Sequence, residues 1–158
     1  MIQQADETLE GFRGEHYFLS NMYEVEVVYK GITFASSEHL YQWLKVPPEE
    51  TWWRDKIREA PHGKVAKKLV NNPKCPKVKT DDWDAFRIQC MKIAVWAKFR
   101  NPDMARMLLD TGDMALVEHN FHKDEFFGVY QGSGQNQLGR ILMLCRNYLR
   151  TLENTLSV

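Results

Sequence analysis

Apolar and polar residues alternate along Tyr23-Glu24-Val25-Glu26-Val27-Val28-Tyr29, the two-residue period of a half-buried strand. Lys30-Gly31 then marks a tight turn, and Ile32-Thr33-Phe34 the returning strand. Beyond the hairpin the period lengthens to that of helices. Ser36 or Ser37 is placed to cap a helix over about 38–45, with Glu38 in its first turn. Pro47-Pro48 stops that helix, and Pro48 opens a second over about 49–60. A third covers about 63–71, and residues 72–80 read as a loop. Thr80 or Asp81 caps the longest central helix, about 82–100, whose apolar stripe includes Phe86, Cys90, Ile93 and Ala97. Pro102 starts a short helix that ends before Thr111-Gly112. Ala115-Leu116-Val117 and Phe126-Phe127-Gly128-Val129-Tyr130 are strand candidates. Asn136 caps a last helix over about 137–153, with Leu138, Ile141, Leu142, Cys145, Tyr148, Leu149 and Leu152 at helical spacing. Several helices with a few strands outside βαβ order predict an α+β fold, mainly helical with a small sheet. Residues 1–15 read as a loose lead-in and 16–154 as a single domain.

Composition narrows the function classes. A chain of 158 residues suits one domain, long enough to bury roughly two-thirds of its unfolded surface. The 44% hydrophobic and 27% charged fractions are those of a soluble globular protein. Lys plus Arg and Asp plus Glu both total 21, so the formal net charge is zero. That balance argues against binding nucleic acid mainly by phosphate neutralisation, which needs a basic surplus. No apolar run approaches the roughly 20 residues that span a bilayer. Met1 to Glu10 is polar and acidic, with no signal-like pattern, so a cytoplasmic location is expected. Cys75, Cys90 and Cys145 are odd in number and far apart, which fits reduced thiols. None of the cysteines or five histidines has zinc-ligand spacing, so no metal and no cofactor is expected.

Several constellations have chemical potential. Glu38, Tyr41, Gln42 and Lys45 fall at i, i+3, i+4 and i+7, on one face of their helix. An acid, a phenol, an amide and an ammonium together suit a hydroxylated ligand. From spacing alone, an exposed face with a Glu-to-Lys pair is the commoner outcome. Gly132-Ser133-Gly134-Gln135-Asn136-Gln137-Leu138-Gly139-Arg140 leads into the last helix. Glycines allow close backbone approach, and free N–H groups at a helix start favour an anion, but an empty helix-entry loop is the plainer reading. Thr111-Gly112-Asp113 and His122-Lys123-Asp124-Glu125 put carboxylates in loops, where Asp also serves turns. Trp83, in the first turn of the central helix, suits a core position or a stacking platform. Lys64, Lys67, Lys68, Lys74, Lys77 and Lys79 read as a solvated basic helix and loop.

The order of the motifs is more specific than any one of them. Phe18-Leu19-Ser20-Asn21-Met22-Tyr23 resembles the F-[FL]-S-N-F segment of the NADAR (YbiA-like) family. Ser37-Glu38-His39-Leu40-Tyr41-Gln42-Trp43-Leu44-Lys45 resembles its S-E-H-x-[YF]-Q-x-x-K helix. Trp83 with Met91, Ala97-Lys98-Phe99, Leu108-Leu109 with Thr111-Gly112, and Leu116-Val117-Glu118 follow in the family's order. Asp124 to Gly128 is similar to D-x-x-W-G, and Gly134-x-Asn136-x-Leu138-Gly139-x-x-Leu142-Met143 to G-x-N-x-L-G-x-x-L-M. Phe127 stands where the family usually has Trp, and Met22 where it usually has Phe.

The resemblance implies an N-glycosidase. Members of the family cleave phosphorylated intermediates of riboflavin synthesis, and others remove ADP-ribose from guanine. It implies a functional core of Glu38, Asp124 and Trp83. Ser20, Asn21, Tyr41, Gln42, Lys45, Phe127, Gly128, Gly134, Asn136 and Gly139 would bind the substrate. The expected partner is a small nucleotide, with nucleic acid only as a modified substrate and no membrane. Two other classes fit part of the pattern. A non-catalytic ADP-ribose reader needs the pocket without turnover, and a nucleic-acid module would use the lysines from Lys64 to Lys79.

Overall fold

The structure is a computed structural model that describes residues 8–156. The fold is mainly helical α+β, with two two-stranded sheets. The described residues form two compact units, residues 21–101 and residues 8–20 with 102–156.

The unit of residues 21–101 begins with a hairpin. Strands β2 (Val27–Tyr29) and β3 (Ile32–Phe34) pair antiparallel, with Val27 opposite Phe34. Both side chains are buried, so this cross-strand pair forms the inner face. Lys30 and Gly31 have φ of 48° and 79°, the positive values that a two-residue hairpin turn demands. The expected first strand, 23–29, shortens to three residues because its partner is only three residues long. One further ladder bond, Val25 N–H to Ala35 O at 3.1 Å, carries the pairing outward.

Three helices follow: α1 (Ser37–Leu44), α2 (Thr51–Glu59) and α3 (Gly63–Asn71). Ser36 caps α1, its hydroxyl oxygen accepting from His39 N at 3.2 Å. Burial of the end of α1 against α2 and α3 gathers Val46, Ile57, Ala66, Val70 and Cys75 into a core, with Trp43 and Trp53 at its edge. The long helix α4 (Trp83–Lys98) completes the unit, and its N-cap Asp82 accepts from Ala85 N at 3.0 Å. It packs on α1, and the sequence-derived bounds of all four helices differ from these by one or two residues at most.

The other unit pairs strand β1 (Thr8–Glu10) parallel with β4 (Ala115–Val117). The expected lead-in thus contains a strand and a short 3-10 helix over Gly14–Leu19. Thr8-Leu9-Glu10 offers one apolar residue between two polar ones and no flanking turn signal, so this strand was not read in sequence. Helix α5 (Pro102–Leu109) ends where Thr111 Oγ1 donates to Leu108 O at 2.6 Å and accepts from Arg146 Nη1 at 2.9 Å. The Thr-Gly pair therefore anchors α5 to helix α6 (Gln137–Leu156), and Arg150 adds bonds to Gly112 O and Asp113. Residues 126–130 do not form a strand. Only single bridges form there, His119 with Val129 and Tyr130 with Ser133. The carbonyls of this segment are engaged elsewhere, as described next.

Candidate functional site

On α1 the polar face is buried, not solvated. Glu38 is 6% exposed, Tyr41 5%, Gln42 2% and Lys45 9%. Gln42 Nε2 donates to Glu38 Oε1 at 2.6 Å, and Lys45 Nζ lies 4.6 Å from the Tyr41 ring centroid. Gln42 Oε1 is buried and has no hydrogen-bond partner among the described residues. A buried polar atom without a partner costs about 1–3 kcal/mol, and native proteins keep few of them. A buried polar face with an unpaired acceptor has the chemistry to bind a polar ligand.

The surroundings fix this face in place. Asn21 O accepts from Glu38 N at 3.1 Å, and Asn21 Oδ1 accepts from Ser37 Oγ at 2.8 Å. Asn21 Nδ2 reaches Met91 Sδ on α4 at 3.0 Å. Asn21 thus braces the start of α1 against α4. His39, on the opposite side of α1, donates from Nε2 to Ala60 O at 2.9 Å, and its Nδ1 meets Ser36 Oγ at 2.7 Å. It locks α1 to the end of α2. Gly63 opens α3 directly against Glu38: a Cβ there would sit 2.8 Å from Met22 Sδ and 3.0 Å from Glu38 Cβ.

The electrostatics follow from burial. Desolvation raises the Glu38 carboxyl above its ordinary value, while the Gln42 bond and the charges of Lys45 and Lys67 hold it down. Desolvation lowers the Lys45 ammonium to about 8, against the upward pull of Glu38. Both groups are thus poised to change charge closer to neutrality than free side chains do. Trp83 is half-buried on the first turn of α4, its ring 5.5 Å from that of Phe86. Lys98, at the other end of α4, is fully buried beside the Tyr23 and Phe99 rings, and desolvation lowers it to about 7.

The second carboxylate belongs to the other unit. Asp124 Oδ1 accepts from Phe126 N at 2.9 Å and Phe127 N at 3.0 Å, which folds the 124–127 turn. Asn120 locks that turn: its Nδ2 donates to Asp124 O at 2.8 Å, and its Oδ1 accepts from Asp124 N at 3.1 Å. Beside it stands Glu118. Burial first, and then the Asp124 charge, push its carboxyl up to about 7, against the opposing effect of Arg13. Glu118 Oε2 is buried without a partner among the described residues. Glu118 can therefore hold a proton near neutral pH.

Sequence reasoning missed Glu118 and Asn120 as site residues. The available signal for Glu118 was its position one residue past a predicted buried strand. If burial raises Glu118 as described, wild-type stability falls as pH rises from about 4.5 to about 7, because the unfolded carboxyl ionises first. Glu118→Gln removes that dependence. Its melting temperature is expected to rise relative to wild type across this window and to hold the gain at pH 8. Parallel melts from pH 4 to 8 check this, and parallel curves would refute it.

The glycine-rich approach to α6 does architectural work. The amides of Gln135, Asn136, Gln137 and Leu138 donate to the carbonyls of Glu125, Gly128, Phe126 and Phe127, respectively. This exchange uses the helix-start N–H groups that a phosphate would need, and it also prevents 126–130 from pairing as a strand. Asn136 Nδ2 donates to Leu116 O at 2.9 Å, and Asn136 Oδ1 accepts from Glu118 N at 2.9 Å. Phe127 is buried against Phe126. Gly128, Gly134 and Gly139 each admit a neighbouring backbone: a Cβ would strike Glu118 O, Gly128 O and Leu116 O, respectively. Gly134 also has a φ of 149°. Gly134→Ala is expected to cost roughly 3 kcal/mol or more from strain plus clash, lowering the melting temperature by about 10 °C. Gly132→Ala, at φ 80° but with open space around it, should cost only about 1 kcal/mol. Equal melts for the two variants would contradict this.

Ser20, half-buried, follows the 3-10 helix and donates its N–H to Tyr17 O. Among the described residues, no three His, Cys, Asp or Glu gather as a metal-binding group. The three cysteines are free and buried. No helix among the described residues is long and apolar enough to cross a membrane.

A small, mainly helical α+β protein with a buried acid–amide–ammonium face and a separate braced carboxylate pair is built to handle a polar ligand. The chain belongs to the NADAR domain family, whose model matches residues 10–150. It is 36% identical over 137 residues to a riboflavin biosynthesis protein of Vibrio vulnificus, a match covering 85% of this chain and 36% of that protein. The chain thus spans about a third of that relative's length. It is 33% identical over 121 residues to N-glycosidase YbiA of Escherichia coli K12, covering 75% of this chain and 72% of YbiA. The NMR structure of E. coli YbiA aligns with a TM-score of 0.81 at 28% identity, covering 96% of this chain and 91% of that one.

Proposed function

We propose that this protein is a cytoplasmic N-glycosidase that hydrolyses the C1′–N bond of a phosphorylated, ribose-containing nucleotide. The observation that carries the reading is the buried, half-satisfied Glu38–Gln42–Lys45 face of α1. The names of the relatives, N-glycosidase and riboflavin biosynthesis protein, support it.

The chemistry suits these groups. As the C1′–N bond breaks, positive charge develops on the ribose and negative charge on the leaving base. Water then adds its oxygen to C1′, and its proton goes to the base nitrogen. Ionised Glu38 stabilises the ribose cation, fixed in direction by Gln42. The charge of Lys45, after the Gln42 bond, opposes the upward effect of burial on Glu38, and its ammonium offers hydrogen bonds to phosphate or ribose oxygens. Asp124 activates the water or protonates the base, and Glu118 shares its proton. Trp83 stacks on the base. Assistance of this acid–base kind is worth about 10² to 10⁴ in rate.

The test is incubation of the purified protein with phosphorylated ribosylaminopyrimidine intermediates of riboflavin synthesis and, separately, with ADP-ribosylated guanosine. Mass spectrometry reads the released base and sugar phosphate. Release from the first set supports the proposal; release from the second alone would make the protein an ADP-ribosyl-guanine hydrolase. Binding without release from either would make it a reader.

A further inference from the structure

The stretch from 60 to 80 holds six lysines and no Asp or Glu. Lys64, Lys67, Lys68, Lys74 and Lys79 are exposed, as a solvated basic segment requires, and Lys77 is half-buried. None of the ion pairs among the described residues includes one of these lysines. Lys64 and Lys68 stand one turn apart on α3, so their like charges repel across a shared face. A solvated segment does not account for what lies beside them. Lys68 lines a cavity of about 520 Å³, together with Val65, Leu69, Asn71, Asn72 and Pro73. Val65 and Leu69 are half-buried and pack on the core of this unit, so they give the cavity an apolar lining. Lys74 follows directly on Pro73. Backbone bonds fix the wall: Asn72 N donates to Leu69 O at 3.2 Å, and Asn72 O accepts from Cys75 N at 2.9 Å. Asn72 Oδ1 accepts from Lys74 N at 2.9 Å. Cys75 is buried, and its carbonyl accepts from Lys77 Nζ at 2.8 Å. Val78 N donates to Lys45 O at 2.9 Å, which ties the far end of the loop to α1. The cavity is therefore preformed.

We propose that this face of α3 and its loop docks an acidic segment of a partner protein, which places one apolar side chain in the cavity. The inference is independent of the N-glycosidase reading. An apolar pocket beside exposed charge has the anatomy of a protein interface, with an anchor at the centre and a polar rim. The charge selects the partner, because acids of an incoming segment meet lysines that no acid of this stretch balances. Two other polyanions fit less of the surface. Single-stranded nucleic acid stacks its bases on aromatic rings, and residues 60–80 contain no Phe, Tyr or Trp. An anionic membrane takes up a helix by its apolar face, whereas the apolar side of α3, Ala66 and Val70 included, is committed to the core.

The probes are short peptides of Glu and Asp with a single varied central position, carrying each amino acid in turn. They are titrated into the full chain, with binding read by NMR shifts of the 63–80 amides. Peptides with Leu or Phe at the centre are expected to bind about tenfold more tightly than the one with Ala, the scale of burying a large apolar side chain. Affinity should fall as salt rises. Changing both Lys64→Glu and Lys68→Glu should weaken every peptide about tenfold, while Lys64→Arg with Lys68→Arg should bind as wild type does. Asn71→Phe, which fills the cavity from an exposed position, should erase the preference for Leu over Ala and keep the salt dependence. All the substituted residues are exposed, so each variant should melt within a few degrees of wild type. Equal affinity of wild type for the Leu and Ala peptides, or an undiminished Leu preference in Asn71→Phe, overturns the proposal. So does tighter binding of oligothymidine, or of vesicles containing phosphatidylserine, than of every peptide, which would assign the face to nucleic acid or to a membrane. Absence of binding by every peptide at about millimolar concentration overturns it as well.

Discussion

Glu38→Gln is expected to reduce single-turnover cleavage at least about 10²-fold while leaving the fold intact. The amide has nearly the same size, and its oxygen can still accept from Gln42 Nε2, so the contacts with Gly63 and Asn21 survive. The favourable first-turn dipole interaction, about 0.3–1 kcal/mol, is lost. Relief of a buried charge offsets it, because desolvation raises this carboxyl in the folded state. The melting temperature should therefore move by only a few degrees. Chemistry has no such compensation: a neutral amide neither balances a ribose cation nor takes a proton from water. A second readout follows from the electrostatics. Glu38 holds the Lys45 ammonium up, so its removal should let Lys45 fall below about 8. Binding of a phosphorylated substrate, which needs charged Lys45, should then weaken at lower pH than in wild type. Lys45→Met provides the contrast, weakening that binding more than it slows the bound complex. If Glu38→Gln cleaves near the wild-type rate, Glu38 is a structural acid and the mechanism is wrong.

How far the sequence reached differs between elements for physical reasons. The helices were legible from their apolar positions and from starts and stops such as Ser36 before α1; the cap of α4 was expected at Thr80 or Asp81 and is Asp82, the residue whose carboxylate reaches Ala85 N. Strand β1 was not, because Thr8-Leu9-Glu10 holds a single apolar residue, whereas its partner Ala115-Leu116-Val117 is apolar throughout and was read. The segment 126–130 has the aromatic and β-branched content of a strand, yet the carbonyls of Phe126, Phe127 and Gly128 are taken by the amides of Gln137, Leu138 and Asn136 at the start of α6. That is a tertiary bond pattern which local propensity does not contain. Spacing placed Glu38, Tyr41, Gln42 and Lys45 on one face, but only packing shows the face to be buried. Similarly, Gly134 and Asn136 stood out as a helix entry, and the contacts give them backbone packing and a brace to β4. Lys77 looked like one of many solvated lysines. Its difference lies in Val78 N–H reaching Lys45 O, a bond across 33 residues.

Asp124→Asn separates the two roles that one side chain performs. Asp124 Oδ1 folds the turn by accepting from Phe126 N and Phe127 N, and Asn120 braces the same loop. An asparagine oxygen accepts those two bonds equally well, so the 124–127 turn and the packing of Gly128 should persist. What disappears is the charge. The Asp124 carboxylate helps to push Glu118 up to about 7, so in the asparagine variant Glu118 should titrate lower, a shift visible by NMR of its side-chain carboxyl. A proton is then less available near neutral pH, and the group proposed to activate water or protonate the base is neutral. Turnover should fall about 10²-fold with little change in melting temperature. Asp124→Ala is the structural control, since it removes the turn bonds as well and should lower both stability and rate. Were the asparagine variant to cleave at the wild-type rate while the alanine variant lost both, Asp124 would be a turn residue. The catalytic proton would then have to come from elsewhere.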